Sequence, residues 1–250
     1  MGERGFEIEL IMKPTVSVII PVYNHAHTLD SCLSTIVWGA YACEMEIIIV
    51  NDGSTDNFHE ELEKVLNKYP DVKKLVKKVI DQPNLGAAVA RNRGFKEATG
   101  EYVIFVDADT RCYPHMIPEM LEWLEPHPEA SYAYSRFRFG WKKMKSQKFN
   151  AEDLKKNNYI DTTSLIRTKD FLGFDESLKR FQDWDLWLTM LEQGKTGIFV
   201  PAVLYKKIVR GRKGMSSWLP SLMYKLPWKN EKVREYEAAK EIVMKKHGLM

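Results

Sequence analysis

Short Val- and Ile-rich runs alternate with helix-like stretches through the first half of the chain, and this alternation constrains the fold more than any other feature. Runs of β-branched residues bounded by turn residues predict strands, here at 16–22, 45–51, 75–80 and 101–107. Helices are predicted between them, at about 27–38, 56–68 and 86–98. Several strands are apolar without alternation, which is typical of a parallel sheet buried on both faces. The order predicts right-handed crossovers and a doubly wound α/β layer.

The second half of the chain is less regular. The pattern predicts helices at 113–124, at 173–194, ending at Gly194, and at 231–247 near the C-terminus. It predicts strands at 130–139, 159–167 and 197–209, and a loop or hairpin at 138–153.

Polar side chains follow three of the predicted strands. They are Pro21-Tyr23-Asn24, Asn51-Asp52-Gly53-Ser54 and Asp107-Ala108-Asp109. Ligands of doubly wound sheets bind outside the carboxyl ends of the strands. We therefore expect a binding site where these three groups converge.

The run VIFVDADT ends in two carboxylates, Asp107 and Asp109, separated by one alanine. Two side chains at alternate positions of an extended segment point the same way, and paired carboxylates suit Mg²⁺ or Mn²⁺ completed by substrate phosphates. A solvated turn in which Asp109 caps the next helix is an equally simple interpretation.

The same letters also fit the DxDxT pattern of HAD-type phosphatases, in which the first aspartate is a nucleophile. That motif usually lies on the first strand of its fold, whereas three strand–helix units precede it here, and no downstream lysine motif follows in the expected order. The phosphohydrolase is therefore the less favoured alternative.

Three further motifs carry polar residues. In VNDGSTDN, Gly53 permits a tight turn and Ser54, Thr55 or Asp56 can cap a helix, which leaves Asp52 free to accept from a nucleobase or ribose. NLGAAVARNRG places Arg91 near a helix N-terminus, but it is neither a dinucleotide fingerprint nor a Walker loop.

In RFQDWDLWL, Asp183 and Asp185 lead into a helix, where either can act as a cap. A carboxylate there can also serve as a general base if it faces the metal site.

Composition excludes several classes of protein. No apolar run is long enough to span a bilayer, and the N-terminus lacks the features of a signal peptide, so we expect a cytoplasmic protein. Three cysteines at unrelated spacings indicate neither disulfides nor zinc, and a net charge of +3 gives no reason to expect nucleic acid.

Charge is concentrated in one part of the chain. From Tyr205 onward there are twelve Lys and Arg residues against four Glu residues. This balance suggests a partner that carries phosphate or an anionic surface. Apolar and aromatic residues among the lysines of the 211–230 region fit a peripheral contact with the inner face of a membrane, a lipid-linked acceptor, packing over the domain or a homo-oligomer contact.

Taken in order, the segments VSVIIPVYNHAHTLDSCLSTI, IIIVNDGSTDN, NLGAAVARNRGFKEATGEYVIFVDADT and GFDESLKRFQDWDLWL resemble the family 2 inverting glycosyltransferases of the GT-A fold. The resemblance implies an α/β fold with a Rossmann-like, mostly parallel sheet flanked by helices, a mixed acceptor-side half and a helical C-terminal tail. The implied domain covers 13–210, with a nucleotide-sugar-binding half at 13–112 and an acceptor-binding half at 113–210, and is followed by a basic, partly amphipathic segment at 211–250.

The resemblance also implies roles for individual residues. Pro21, Tyr23, Asp52 and Asn84 would hold the nucleoside of a nucleoside diphosphate-sugar, most often UDP-sugar. Asp107 would approach the ribose, Asp109 would bind Mn²⁺ or Mg²⁺, and Arg91 would lie near the diphosphate. Asp183 would be the catalytic base, in a motif usually written ED that carries Gln182 here.

Two further arginines are candidates in VRGRKGMSSW. Arg210 and Arg212 could form a basic flap over the diphosphate, although a basic surface loop explains them equally well. The acceptor would be a carbohydrate or a lipid-linked molecule. A nucleotide-sugar-binding module without catalysis is a second hypothesis, against which the intact Asp107, Asp109 and Asp183 argue.

Overall fold

Parallel strands form the first half of the sheet, as predicted. The computed structural model describes residues 15–208 and 231–250. Strands β1 (Thr15–Val22), β2 (Glu44–Asp52), β3 (Val76–Gln82) and β4 (Tyr102–Phe105) lie in the spatial order β3–β2–β1–β4. Helices α1 (Leu29–Ile36), α2 (Phe58–Lys68), α3 (Pro70–Leu75) and α4 (Ala87–Phe95) connect them.

The second half of the sheet is mixed, again as predicted. Its strands are β5 (Thr110–Cys112), β6 (Ala130–Phe139), β7 (Lys142–Lys143), β8 (Leu165–Arg167) and β9 (Thr196–Lys207). The helices of this half are α5 (Met116–Leu124), α6 (Ala151–Lys156), α7 (Gln182–Glu192) and α8 (Glu231–Lys246). The sheet continues from β4 in the order β8–β6–β9–β5. β6 and β9 are parallel, whereas β8 is antiparallel to both β4 and β6, and β5 is antiparallel to β9.

The predicted strand at 159–167 is too long. Only Leu165–Arg167 pairs in the sheet, because two side chains capture the backbone before it. Asn158 Oδ1 accepts from the Ile160 N–H, and Asp161 Oδ1 accepts from the Thr163 N–H. Such local bonds compete with a β-ladder and favour turns. The predicted excursion at 138–153 contains the short hairpin of β6 and β7 and the start of α6.

Both faces of the sheet are buried, which explains the continuous apolar strands. Along β1, Val18 and Ile20 pack into one apolar cluster and Ile19 into the other. Helix α4 lies close to this strand because residue 94 is glycine: a Cβ there would lie 2.5 Å from Ile19 Cγ2. This approach brings α4, and Arg91 with it, to the sheet edge.

Helix α8 packs on α7. The rings of Tyr236 and Phe181 lie 4.9 Å apart, and Asp185 on α7 contacts Lys246 at 2.7 Å and His247 at 2.9 Å. Val243 of α8 belongs to the same apolar cluster as α7. Within the described ranges, every helix is too short or too polar to cross a membrane.

Candidate functional site

The polar ends of β1, β2 and β4 lie side by side. The register pairs Val22 with Asn51 and Ile19 with Phe105, so Pro21, Asp52 and Asp107 all fall at one sheet edge. Pro21 is half-buried, and Tyr23 is 44% exposed. The predicted convergence of three strand ends is therefore present.

Two loops at this edge are joined by side-chain hydrogen bonds. Asn24, in a left-handed conformation with φ of 54°, accepts from the Thr55 N–H through Oδ1 at 2.7 Å. Ser54 Oγ accepts from the Asn24 N–H, and Asp56 Oδ2 accepts from the Ala26 N–H. The prediction that Ser54, Thr55 or Asp56 caps helix α2 is wrong, since Asn57 precedes that helix and makes no side-chain cap.

Asp52 organises the loop that follows β3. Its Oδ1 accepts from Gln82 Nε2 and from the Leu85 N–H, and its Oδ2 accepts from the Gly86 N–H, all within 2.9 Å. The side chain is only 3% exposed. The same loop carries exposed Asn84. An ionised carboxylate offers about four lone-pair sites, so capacity for a ligand donor is left alongside these three bonds.

Asp107 and Asp109 lie in a turn, not in an extended segment. β4 ends at Phe105, and the Thr110 N–H donates to the Asp107 carbonyl at 2.8 Å. The expectation that alternate positions of a strand aim both carboxylates alike is therefore wrong. The turn gives the two side chains different neighbours, and neither caps a helix because β5 follows directly.

Asp107 is an ion-paired carboxylate. Its Oδ1 lies 2.7 Å from Arg91 Nη2, and its Oδ2 lies 3.1 Å from Lys207 Nζ. Burial alone would raise the pKa of Asp107, but the charges of Lys207 and Arg91 hold it well below its usual range. Asp107 is therefore ionised at neutral pH.

Asp109 has the opposite environment. Its Oδ1 is buried and has no hydrogen-bond partner among the described residues. Burial, and next the charge of Asp107, raise the pKa of Asp109 above its usual value. A buried anion without a donor is costly, and a divalent cation is the partner that an oxygen ligand of this kind suits.

The residues present thus fit a metal ion that takes most of its ligands from elsewhere. No cluster of three or more His, Cys, Asp or Glu residues within 15–208 and 231–250 is arranged to hold one. Mg²⁺ and Mn²⁺ are commonly bound through one or two carboxylates together with substrate phosphates and water. Asp109 meets that pattern as a single protein ligand.

Lys207 and Asp161 also belong to the site, although neither was predicted. The antiparallel register pairs Lys207 with Thr110, and Lys207 Nζ lies 2.8 Å from Asp161 Oδ2. Tyr205, on the same face of β9, donates to Asp161 Oδ1 at 2.9 Å. Burial alone would lower the pKa of Lys207, but Asp161 and Asp107 raise it, so the ammonium stays charged.

The signal for this cluster was weak. Tyr205 and Lys207 are separated by two positions in a strand, which puts a lysine beside a tyrosine on one face. Nothing local indicated that this face was the buried one.

Asp183 lies in the first turn of α7, but it does not cap the helix. Its Oδ1 accepts from the N–H of Trp184 at 2.9 Å, and its Oδ2 accepts from Asn158 Nδ2 at 2.8 Å. Burial and the nearby charge of Asp161 raise the pKa of Asp183 to about 6. A carboxyl that gains and loses its proton near neutral pH is suited to acid–base chemistry.

Gln182 connects this helix to the sheet edge. Arg91 Nη1 donates to Gln182 Oε1 at 3.0 Å while Nη2 of the same guanidinium pairs with Asp107. The neutral Gln182 amide thus accepts a hydrogen bond from Arg91, whose positive charge is already balanced by Asp107. Arg91 is 7% exposed, and its position near a diphosphate stays a prediction.

Arg210 and Arg212 lie outside the described residues, and so does the rest of the predicted flap.

A family comparison identifies the chain's relatives. The model of glycosyl transferase family 2 matches residues 17–180. Among individual proteins, YibD of Escherichia coli K12, an uncharacterized glycosyltransferase, is 43% identical over 106 residues, which is 42% of this chain. The match covers 29% of the length of YibD, so the matched region is less than a third of that protein.

Solved structures share the fold. TarS of S. aureus in complex with UDP-GlcNAc superposes with a TM-score of 0.66 and 22% identity, covering 84% of this chain and 64% of that one. The mannosyltransferase PcManGT of Pyrobaculum calidifontis, in complex with GDP-Man and Mn²⁺, gives 0.64 and 19%, covering 81% and 59%. The fold is therefore the GT-A type expected from the motifs. With the family model matching well over half of its length, the chain belongs to glycosyl transferase family 2.

Proposed function

We propose that this protein transfers a sugar from a nucleoside diphosphate-sugar to an acceptor hydroxyl by a single displacement that inverts the anomeric centre. The observation that carries the proposal is electrostatic. Burial raises the pKa of both Asp109 and Asp183, and the charge of Asp161 raises each further, so Asp161 lies near both the candidate metal ligand and the candidate base. Paired titratable groups of different character at one strand edge are typical of an active site.

The donor proposed is a UDP-sugar. TarS binds UDP-GlcNAc and PcManGT binds GDP-Man, so nucleoside diphosphate-sugars occupy this fold in both neighbours. Pro21, Tyr23, Asp52 and Asn84 line the edge where the nucleoside would lie. The exposed ring of Tyr23 is available for stacking, and Asp52 holds the loop that carries Asn84.

Asp109 is the proposed ligand of Mn²⁺ or Mg²⁺, because its buried oxygen lacks a donor. PcManGT contains Mn²⁺. A divalent cation bound here would stabilise the negative charge that grows on the departing diphosphate. Arg91 and Lys207 keep Asp107 ionised and fix its orientation beside the cation site. In this proposal Asp107 is directed towards the ribose.

Asp183 is the proposed general base. Ionised, it would accept the proton of the acceptor hydroxyl as that oxygen forms its bond to the anomeric carbon and the bond to the diphosphate breaks. A base with a pKa of about 6 is largely ionised at pH 7 and still basic enough to take a proton. General-base assistance is typically worth about 10²–10⁴-fold in rate.

The acceptor proposed is a carbohydrate or a lipid-linked molecule that approaches over the β6–β7 hairpin. Register places Phe139 of that hairpin opposite Lys207 on β9, so the hairpin borders the site. Its tip exposes 88% of Trp141 beside Lys142 and Lys143. An exposed indole among cations suits a sugar ring, an anionic group or a membrane interface.

The test is an assay of nucleoside diphosphate release from a panel of UDP-, GDP- and TDP-sugars, with and without Mn²⁺. We expect slow Mn²⁺-dependent release from a UDP-sugar, with water in place of the acceptor hydroxyl. Tight binding of the nucleotide without any release would instead identify a non-catalytic binding module. Release of phosphate from simple esters would favour a phosphohydrolase, an alternative that has no support in the family or the fold.

A further inference from the structure

The segment between α6 and β8 is tied to α7 by two indole groups. Trp184 Nε1 donates to the Leu154 carbonyl at 2.7 Å, and Trp187 Nε1 donates to the Ile160 carbonyl at 3.0 Å. Both tryptophans are at most 1% exposed. Because these bonds bracket residues 154–160 and start from the helix that carries Asp183, the segment and the carboxylate are held in one rigid arrangement.

Within this segment the orientation of the Asn158 amide is determined by its neighbours. Its Oδ1 accepts from the Ile160 N–H at 3.1 Å, and a backbone N–H can only meet the oxygen end of an amide. The nitrogen end must therefore face Asp183, where Nδ2 donates to Oδ2 at 2.8 Å. If the amide were flipped, its nitrogen would face the Ile160 N–H, donor against donor, and its oxygen would face the Asp183 carboxylate, acceptor against acceptor.

We propose that Asn158 is a positioning residue that holds the Asp183 carboxylate in its ionised form and in one rotamer. The inference rests on the proposed role of Asp183 as the base. With Trp184 N–H on one oxygen and Asn158 on the other, the carboxylate cannot turn about its last bond, and its unused lone pairs face a fixed direction.

The charged groups that act on Asp183 oppose one another. Asp161 disfavours its ionised form, whereas Lys207 favours it. Asn158 is the one direct side-chain donor to Asp183 among the described residues. Replacing it should therefore disturb the base more than replacing a more distant group.

The experiment compares Asn158→Asp with Asn157→Asp in the full chain. Asn158→Asp keeps an oxygen for the Ile160 N–H but replaces the donor with a second anion. Asn157 is exposed, accepts from Lys240 of α8 and makes no hydrogen bond to Asp183 among the described residues, so its variant adds the same charge at the adjacent position. Asn158→Ala, which removes the donor without adding charge, is the second variant.

The first readout is an NMR titration of ¹³C-labelled aspartate carboxyls, with the Asp183 signal assigned by its loss in Asp183→Asn. We expect the Asp183 midpoint to rise by about one pH unit or more in Asn158→Asp, as a like charge in contact produces. It should rise less in Asn158→Ala and stay within a few tenths of a unit in Asn157→Asp. An unchanged midpoint in both Asn158 variants would overturn the inference.

The second readout is the pH profile of nucleoside diphosphate release. We expect the acidic limb to move to higher pH in Asn158→Asp, with about a tenfold loss of rate near pH 6 that is recovered at higher pH. A uniform loss at every pH would mean a purely structural role and would also contradict the inference. If the unaltered protein releases no nucleoside diphosphate, the proposed function fails, whereas the NMR titration still decides the role of Asn158.

Discussion

Asp107 and Asp109 are separated by one alanine, yet their carboxylates have opposite surroundings. Asp107 is neutralised by Arg91 and Lys207, and Asp109 Oδ1 is buried without a donor. The motif VIFVDADT predicted a pair of carboxylates at a strand end, but not this division. The division accompanies the turn that Thr110 closes: Asp107 reaches Lys207 of β9, whereas Oδ1 of Asp109 is left without a donor.

Replacing Asp109 with asparagine should stabilise the metal-free protein. The folded state raises the pKa of Asp109 above its unfolded value, so its charge costs stability at pH 7, and that cost disappears as the pH falls below the unfolded pKa of about 4. We expect a gain on the order of 1 kcal/mol at pH 7, measured by thermal unfolding without metal.

The same variant should lose the additional thermal stability that UDP with Mn²⁺ confers on the unaltered protein by mass action. A loss of stability at pH 7 without metal would contradict this account of Asp109, and so would full retention of the Mn²⁺-dependent effect of UDP.

Replacing Lys207 with methionine should destabilise the protein strongly at neutral pH. The change leaves Asp107 and Asp161 without their shared ammonium; breaking a fully buried ion pair typically costs about 3–5 kcal/mol, and this partly buried one should cost less, about 2 kcal/mol. Because the folded state lowers the pKa of Asp107, the pairing contributes stability above the unfolded pKa and is lost as the pH falls.

The deficit of Lys207→Met, measured by urea unfolding, should therefore be fully present at pH 7, persist down to about pH 4, and shrink as the pH falls further below the unfolded pKa of Asp107. Lys206→Met is the matched control, since the neighbouring residue points to the other side of the strand. Equal effects of the two variants, or a deficit independent of pH, would refute the ion-pair account.

At the scale of secondary structure, helix α7 carries two aspartates with separate duties. Asp183 faces the site, whereas Asp185 is 2% exposed and meets Lys246 and His247 at the end of α8. The sequence pattern DWD treated them as equivalent caps. Two positions along a helix turn through about 200°, so the side chains leave on opposite sides.

Asp185→Asn should lower the free energy of unfolding by about 3 kcal/mol while leaving donor binding unchanged, because it removes a buried anion that two basic side chains contact. Asp183→Asn should keep or raise stability, since burial and Asp161 already disfavour its charge. Urea unfolding of the two variants side by side measures this contrast. An equal loss of unfolding free energy in both variants would contradict the separate roles given to Asp183 and Asp185.

Elements were predictable where local pattern decides them. The β-branched runs of β1, β2 and β4 and the order of their crossovers were read correctly because each run is short, apolar and bounded by turn residues. The segment before β8 was misread because Asn158 and Asp161 divert their neighbours' backbone N–H groups, which a β-propensity argument does not detect.

Across the whole molecule, the site residues that escaped prediction are those brought in by long-range pairing. Lys207 lies 100 residues from Asp107 along the chain, and it arrives only because β9 pairs with β5. Asn158 reaches Asp183 through the packing of Trp184 and Trp187, which no spacing reveals. Motifs thus named the residues at the ends of β1, β2 and β4 and Asp183, whereas Lys207, Asp161 and Asn158 required the fold.

Asp183 is proposed to remove the acceptor proton while the donor is held at the β4 edge. The most direct test is the rate of nucleoside diphosphate release by Asp183→Asn at saturating UDP-sugar and Mn²⁺, with donor occupancy checked by calorimetry. We predict unchanged donor affinity and a loss of rate of about 10²–10⁴-fold. Release at the rate of the unaltered protein would contradict the assignment of the base.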